Sequence, residues 1–186
     1  MKIIGYIASP RKCGNTAWAV NKILQGAKEQ GAETRQWYSS ELDIKPCQGC
    51  LSCIESDRCV MSDDMQELYD ALKNADALVL GAPIYMGQMS AQAKIFTDRL
   101  FAQLSPRFSP RYKEENAGKK LVLVFTQGNP KASMFQTYYD YTKNMFQLLE
   151  FDVKDVVIVT GTRSEMASER KELHTKMREI GLSLAL

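Results

Sequence analysis

Ile3-Ile4-Gly5-Tyr6-Ile7-Ala8, followed at once by Ser9-Pro10-Arg11-Lys12-Cys13-Gly14-Asn15-Thr16, is the stretch on which the fold turns. The first part is a short apolar run, as expected of a strand buried on both faces. From 16 to 30 the period changes. Trp18, Ala19, Ile23, Leu24 and Ala27 recur at three- and four-residue steps, which predicts an amphipathic helix. Strand, polar loop and helix in that order open a β-α-β unit.

Working outward, the alternation continues. A weaker run at 33–38 has few aliphatics, as an edge strand can, and 77–80, 121–125 and 156–159 are buried strands. Helical periods occupy 64–74, 91–104, 132–150 and 166–184, with Ser62 or Asp63 placed to cap the first. Five strands alternating with five helices predict an α/β three-layer sandwich, a parallel sheet covered on both faces. Neither repeat nor linker interrupts 1–186, so one domain is expected. The longer irregular stretches are 39–61 and 105–118, and a loop as long as the first usually carries function. In open sheets of this kind ligands bind beyond the carboxyl ends of the strands, which directs attention to the loops after Ala8, Gly81 and Phe125.

Composition narrows the partners. The 186 residues carry 24 Lys and Arg against 22 Asp and Glu, a net charge of +2, with the cations spread along the chain. That distribution excludes a basic nucleic-acid surface and a polybasic membrane helix. The apolar run at 3–8 is too short for a signal core or a membrane span, so a cytoplasmic protein is expected.

The loop at 9–16 supplies hydroxyls (Ser9, Thr16), an amide (Asn15) and a guanidinium (Arg11) beside a helix N-terminus, with Gly14 permitting close approach. Those are the parts of a phosphate site, and a plain capped helix start uses the same residues. Neither a Walker A loop nor a GxGxxG turn is present. The second loop, Gly81-Ala82-Pro83-Ile84-Tyr85-Met86-Gly87-Gln88, sets Tyr85 and Met86 beside residues that bend the backbone, suited to a planar ligand or to an ordinary connection.

Four of the five cysteines, Cys47, Cys50, Cys53 and Cys59, fall between positions 47 and 59. In a reducing compartment such density marks a metal or redox site rather than a disulfide framework.

Ser9-Pro10-Arg11, Gly14-Asn15-Thr16, Asp63-Asp64-Met65, Pro83-Ile84-Tyr85-Met86-Gly87, Lys94 and Asp98-Arg99 together resemble the NADPH-dependent FMN reductase superfamily of flavodoxin-like proteins. The resemblance implies strand order 2-1-3-4-5 with FMN at the switch in strand order. It further implies that Ser9, Arg11, Lys12, Gly14, Asn15 and Thr16 hold the FMN phosphate, and that Pro83, Ile84, Tyr85, Met86 and Gly87 lie against the isoalloxazine ring. Thr126, Gln127 and Gly128 would complete the pocket. The cysteine pattern C-x2-C-x2-C-x5-C resembles that of the iron–sulfur flavoproteins, a branch of the same superfamily, and implies a [4Fe-4S] cluster on Cys47, Cys50, Cys53 and Cys59. Two-residue spacers let three thiolates converge on a small cube, and Gly49 relieves crowding between the first two. A four-cysteine zinc site and thiols without metal remain open, although such zinc sites more often show two separated CxxC pairs.

The implied function is an FMN-dependent electron carrier between a reduced donor, NAD(P)H being one candidate, and a small-molecule or protein acceptor. The alternative is an NAD(P)H-dependent FMN or quinone reductase with incidental cysteines. The resemblance also implies a homodimer or homotetramer. No general acid or base is needed, so no catalytic residue is assigned. His174 is expected on the surface, Cys13 facing the helix start, the Tyr138–Tyr139–Tyr141 group in the core or a subunit contact, and Asp98–Arg99 as an ion pair or cap. Arg107, Arg111, Lys113 and Lys119 flank a polar stretch that suits an anionic partner and a plain solvated loop equally well.

Overall fold

A computed structural model describes residues 1–56, 58–103 and 117–186. Its strands are β1 (Lys2–Ile7), β2 (Glu33–Tyr38), β3 (Ala77–Tyr85), β4 (Gln88–Met89), β5 (Lys120–Thr126) and β6 (Asp152–Val159). Its helices are α1 (Asn15–Glu29), α2 (Ser52–Ser56), α3 (Met65–Lys73), α4 (Ala91–Arg99), α5 (Gln136–Leu148) and α6 (Lys171–Leu184). The sheet runs β2-β1-β3-β5-β6 with every neighbouring pair parallel, and β4 pairs antiparallel with the end of β3. Counting the five parallel strands, this is the expected flavodoxin-like order, with β2 at an edge.

Alternation along the strands builds two cores. Ile4, Tyr6, Leu78, Leu80, Leu121, Leu123 and Phe125 pack with Leu68 and Leu72 of α3, Phe96 of α4 and Phe146 of α5. Ile3, Ile7, Val79, Val122 and Val124 face Val20 and Ile23 of α1 and Met177 of α6. Successive strand side chains point to opposite faces, so a continuous apolar run serves both layers. The helices α1 and α6 cross at close range: a Cβ on Gly181 would lie 2.0 Å from the Ile23 carbonyl oxygen. Only a glycine fits there.

Three expectations need correction. The segment 81–88 is not a loop: β3 continues through Pro83 to Tyr85, and Met86-Gly87 forms a two-residue turn into β4. Pro83 is tolerated because pairing with β1 has ended at Gly81, so its missing N–H costs the ladder nothing there. The stretch 39–61 contains a short helical turn at Ser39–Glu41 and α2. The helices at 132–150 and 166–184 each begin with a separate 3₁₀ turn, at Ala132–Phe135 and Ala167–Glu169. The end of the helix placed at 91–104, most of 105–118, and Arg107, Arg111 and Lys113 lie outside the described residues. Among the described residues no helix is long and apolar enough to cross a membrane.

Candidate functional site

The order β2-β1-β3 means that the chain leaves β1 toward one edge and later continues from β3 toward the other. The loops after β1 and β3 therefore diverge and leave a crevice at their carboxyl ends. At its floor, Ser90 Oγ donates to the Ala8 carbonyl at 2.6 Å and accepts from Ala93 N–H at 3.3 Å, tying the end of β1 to the start of α4.

In the 9–16 loop, Ser9 is buried and its Oγ accepts from the Arg11 N–H at 3.2 Å. Gly14 stands at the N-cap of α1 with no side-chain cap hydrogen bond, and no acidic residue lies in the first turn. The first N–H groups of a helix have no intrahelical partner and carry a positive dipole end, so this terminus can take an anion. The side chains of Asn15 and Thr16 are engaged elsewhere. Asn15 Oδ1 accepts from the Ala167 N–H at 2.7 Å and its Nδ2 donates to the Thr162 carbonyl. The Thr16 and Thr126 hydroxyls share a hydrogen bond of 2.7 Å. Arg11 and Lys12 are exposed, with Lys12 paired to Glu41. Cys13, expected to face the helix start, is exposed as well.

A cleft of about 550 Å³ opens between the β3–β4 turn and the loops after β5 and β6, lined by Ile84, Met86, Gly87, Gln127, Gly128 and Arg163 among others. Met86 and Gly87 both have positive φ, +50° and +84°, and Met86 is fully exposed at the tip. Both central residues of a type I′ turn have this geometry, which matches the twist of the strands it joins. Gln127 faces inward: its Nε2 donates to the Asn129 and Lys131 carbonyls at 2.9 and 2.8 Å, and its Oε1 accepts from Tyr139. Burial raises the Tyr139 phenol to about 12, so it remains a donor. Gln127 thus shapes the loop and leaves Gly128 at the cleft. Two cleft residues, Phe135 and Arg163, escaped the sequence reading. The position of Arg163 just past a strand's carboxyl end was the signal available.

The cysteines occupy the connection from β2 to α3. Cys47, Cys50, Cys53 and Cys59 line one small, almost wholly apolar cavity, walled by Leu51, Met61, Arg99, Phe101 and Ala102. Gly49 and Leu51, on either side of Cys50, both adopt left-handed backbone, with φ of +63° and +59°. Burial raises the Cys53 thiol, and the neighbouring Cys59, Cys47 and Cys50 raise it further, as expected of thiols crowded together. Hydrogen bonds to Ser52 lower Cys50. Among the described residues no three such side chains close on a single metal ion. In a four-iron cube each iron takes its own thiolate, so the ligands surround a cube instead of meeting at a point. Four soft thiols around an apolar space are a donor set that suits it.

The neck of this loop is closed by side chains. Asp64 Oδ2 accepts from the Asp43 N–H at 2.7 Å, and Asp63 Oδ2 from the Lys45 N–H at 3.0 Å. Gln66 Nε2 donates to the Cys59 and Met61 carbonyls. Arg99 pairs with Asp63, not with Asp98 as its adjacency suggested, and Asp98 pairs with Lys94. Burial works to raise the Asp63 carboxyl, but its hydrogen bonds from Arg99 and Lys45 hold it below the ordinary range. His174 is half-buried, its ring against Trp18 and its Nε2 within 2.8 Å of the Ser168 carbonyl.

Residues 1–151 match the family described as NADPH-dependent FMN reductase. An iron–sulfur flavoprotein of Methanosarcina thermophila is 41% identical over 141 residues, which is 76% of this chain and 72% of that one. One of Methanocaldococcus jannaschii is 40% identical over 99 residues, spanning 53% of this chain and about half, 51%, of the relative. Among solved structures, an NAD(P)H:quinone oxidoreductase of Methanothermobacter marburgensis superposes with a TM-score of 0.76 at 18% identity, covering 100% of this chain and 98% of that one. Fold and family together define an FMN-dependent oxidoreductase of flavodoxin type. The chain belongs to the iron–sulfur flavoprotein branch of the NADPH-dependent FMN reductase superfamily.

Proposed function

We propose that this chain is a single-domain electron-transfer flavoprotein holding FMN in the crevice and a [4Fe-4S] cluster on Cys47, Cys50, Cys53 and Cys59. The observation that carries it is the cavity shared by four thiols on a loop with a clamped neck. The free N–H groups of the 9–16 loop, with Ser9, Arg11 and Lys12, hold the FMN phosphate. Asn15 and Thr16 fix that loop against the loop after β6 and the end of β5. Ile84, Tyr85, Met86 and Gly87 bound the ring on one side, with Pro83 setting the strand behind them, and Gly128 on the other.

When bound, the flavin supplies both one- and two-electron chemistry and the cluster one-electron chemistry, so the pair links donors and acceptors of either kind. This chain's own residues bind and orient, and no proton transfer is assigned to any of them. NAD(P)H is the proposed donor, reaching the flavin through the open side of the cleft, and the acceptor is a small molecule or a protein. The working assembly is a homodimer or homotetramer in the cytoplasm.

The test is iron, sulfide and flavin content of protein purified without oxygen. About four irons and four sulfides per FMN are expected. FMN without iron after anaerobic reconstitution overturns the cluster and leaves an NAD(P)H-dependent FMN or quinone reductase.

A further inference from the structure

Beside the cysteine cavity lies a charge that electron transfer as described does not use. Arg99, the last residue of α4, is 1% exposed. Its guanidinium grips Asp63 twice, Nη1 to Oδ2 at 2.6 Å and Nη2 to Oδ1 at 3.0 Å. Nη1 also donates to the Lys45 carbonyl at 2.8 Å. Asp63 in turn accepts from the Lys45 and Met65 N–H groups, at 3.0 and 3.2 Å. The Nε–H of Arg99, by contrast, is buried with no hydrogen-bond partner among the described residues. An unpaired buried donor is costly, and folded interiors leave few of them without a reason. Arg99 also lines the cavity with the four cysteines.

We propose that Arg99 is a positioning residue for the cysteine site, its Nε–H held for a sulfur atom of the cluster or of Cys59. The inference rests on the cluster reading above. The salt bridge to Asp63 fixes the guanidinium, and through Lys45 and Asp63 it holds the two ends of the cysteine loop together. Asp63 cancels most of the charge at a distance, so the sulfur feels chiefly the directed N–H. Reduction adds an electron to a thiolate-bound cluster, and a donor to sulfur stabilises the more negative state. Arg99 therefore raises the cluster's potential.

Two variants separate this from a merely structural role. Arg99→Lys keeps a cation for Asp63 but has no Nε–H. Asp63→Leu/Arg99→Met replaces the pair as a unit, because deleting one partner strands a buried charge. Each chain is loaded with ferrous iron and sulfide without oxygen, its iron and FMN are counted, and the cluster's visible absorption is followed through a redox titration and during chelator challenge. Both variants are expected to keep wild-type FMN content and take up iron, with a cluster potential more negative than wild type. The double variant should also lose iron to the chelator about tenfold faster, the usual scale for losing an outer-shell support. An unshifted potential in iron-loaded Arg99→Lys overturns the proposal, whatever the double variant does. A wild-type chain that takes up no iron overturns the cluster reading, and this inference falls with it.

Discussion

Asp63 shows how much of a site can hang on one side chain. Its buried carboxylate accepts from two guanidinium nitrogens and two backbone N–H groups. A folded-state pKa below the unfolded value of about 3.9 means the unfolded chain binds a proton first as pH falls. Stability from this group is thus fully present above about pH 4 and is lost as pH drops through the folded value. Asp63→Asn should cost about 3 to 5 kcal/mol at neutral pH, by leaving Arg99 without its counter-charge. Across pH 6 to 3 its melting temperature should fall less than that of wild type. Parallel melting curves would show that the carboxylate is not held ionised. The sequence displayed both residues without their pairing. Asp98 beside Arg99 looked like the partner, yet consecutive helix residues do not face each other, and the true partner lies 36 positions away.

Among the elements, those announced by a long period were legible in advance and those built by a local turn were not. The helix expected at 16–30 falls within a residue of α1 because stepped apolar residues fix it, and the weaker run at 33–38 matches β2 although few aliphatics announce it. The β3–β4 hairpin escaped because a type I′ turn is announced by Asn-Gly or Gly-Gly, and Met86-Gly87 gives half of that signal. Left-handed backbone costs a non-glycine residue about 1 kcal/mol or more, so Met86→Asn should stabilise the chain by about 0.5 to 1 kcal/mol, read as a higher urea midpoint with an unchanged slope. An unchanged midpoint would mean that the turn is relaxed with Met86 in place. Gly181→Ala makes the opposite prediction. Its new methyl would meet the backbone of α1, an obstacle that no rotamer change removes, and should cost about 1 to 3 kcal/mol or more. Equal stability in urea would show that α6 can slide away from α1.

In the molecule as a whole, the two candidate sites hang on different supports. The cleft is lined by the β3–β4 turn and the loops after β5 and β6, whereas the cysteine cavity is walled by the β2–α3 connection and the end of α4. Pocket lining residues do not overlap between the two. Within one chain they should therefore load independently. A ligand present at 100 times its Kd stabilises the folded state by about 2.7 kcal/mol, and FMN at that excess should do so in wild type and in Cys50→Ser/Cys53→Ser alike. The double serine variant should meanwhile lose its iron, because replacing two of four thiolates removes the donor set. Measuring the FMN-dependent rise in melting temperature beside iron content decides the matter. If the serine variant loses FMN binding with its iron, the cysteine loop is part of the flavin pocket, within the chain or across a subunit contact, and the two centres form one cooperative site. If FMN binding survives unchanged, the crevice alone defines flavin affinity, and the cysteine loop can vary without disturbing it.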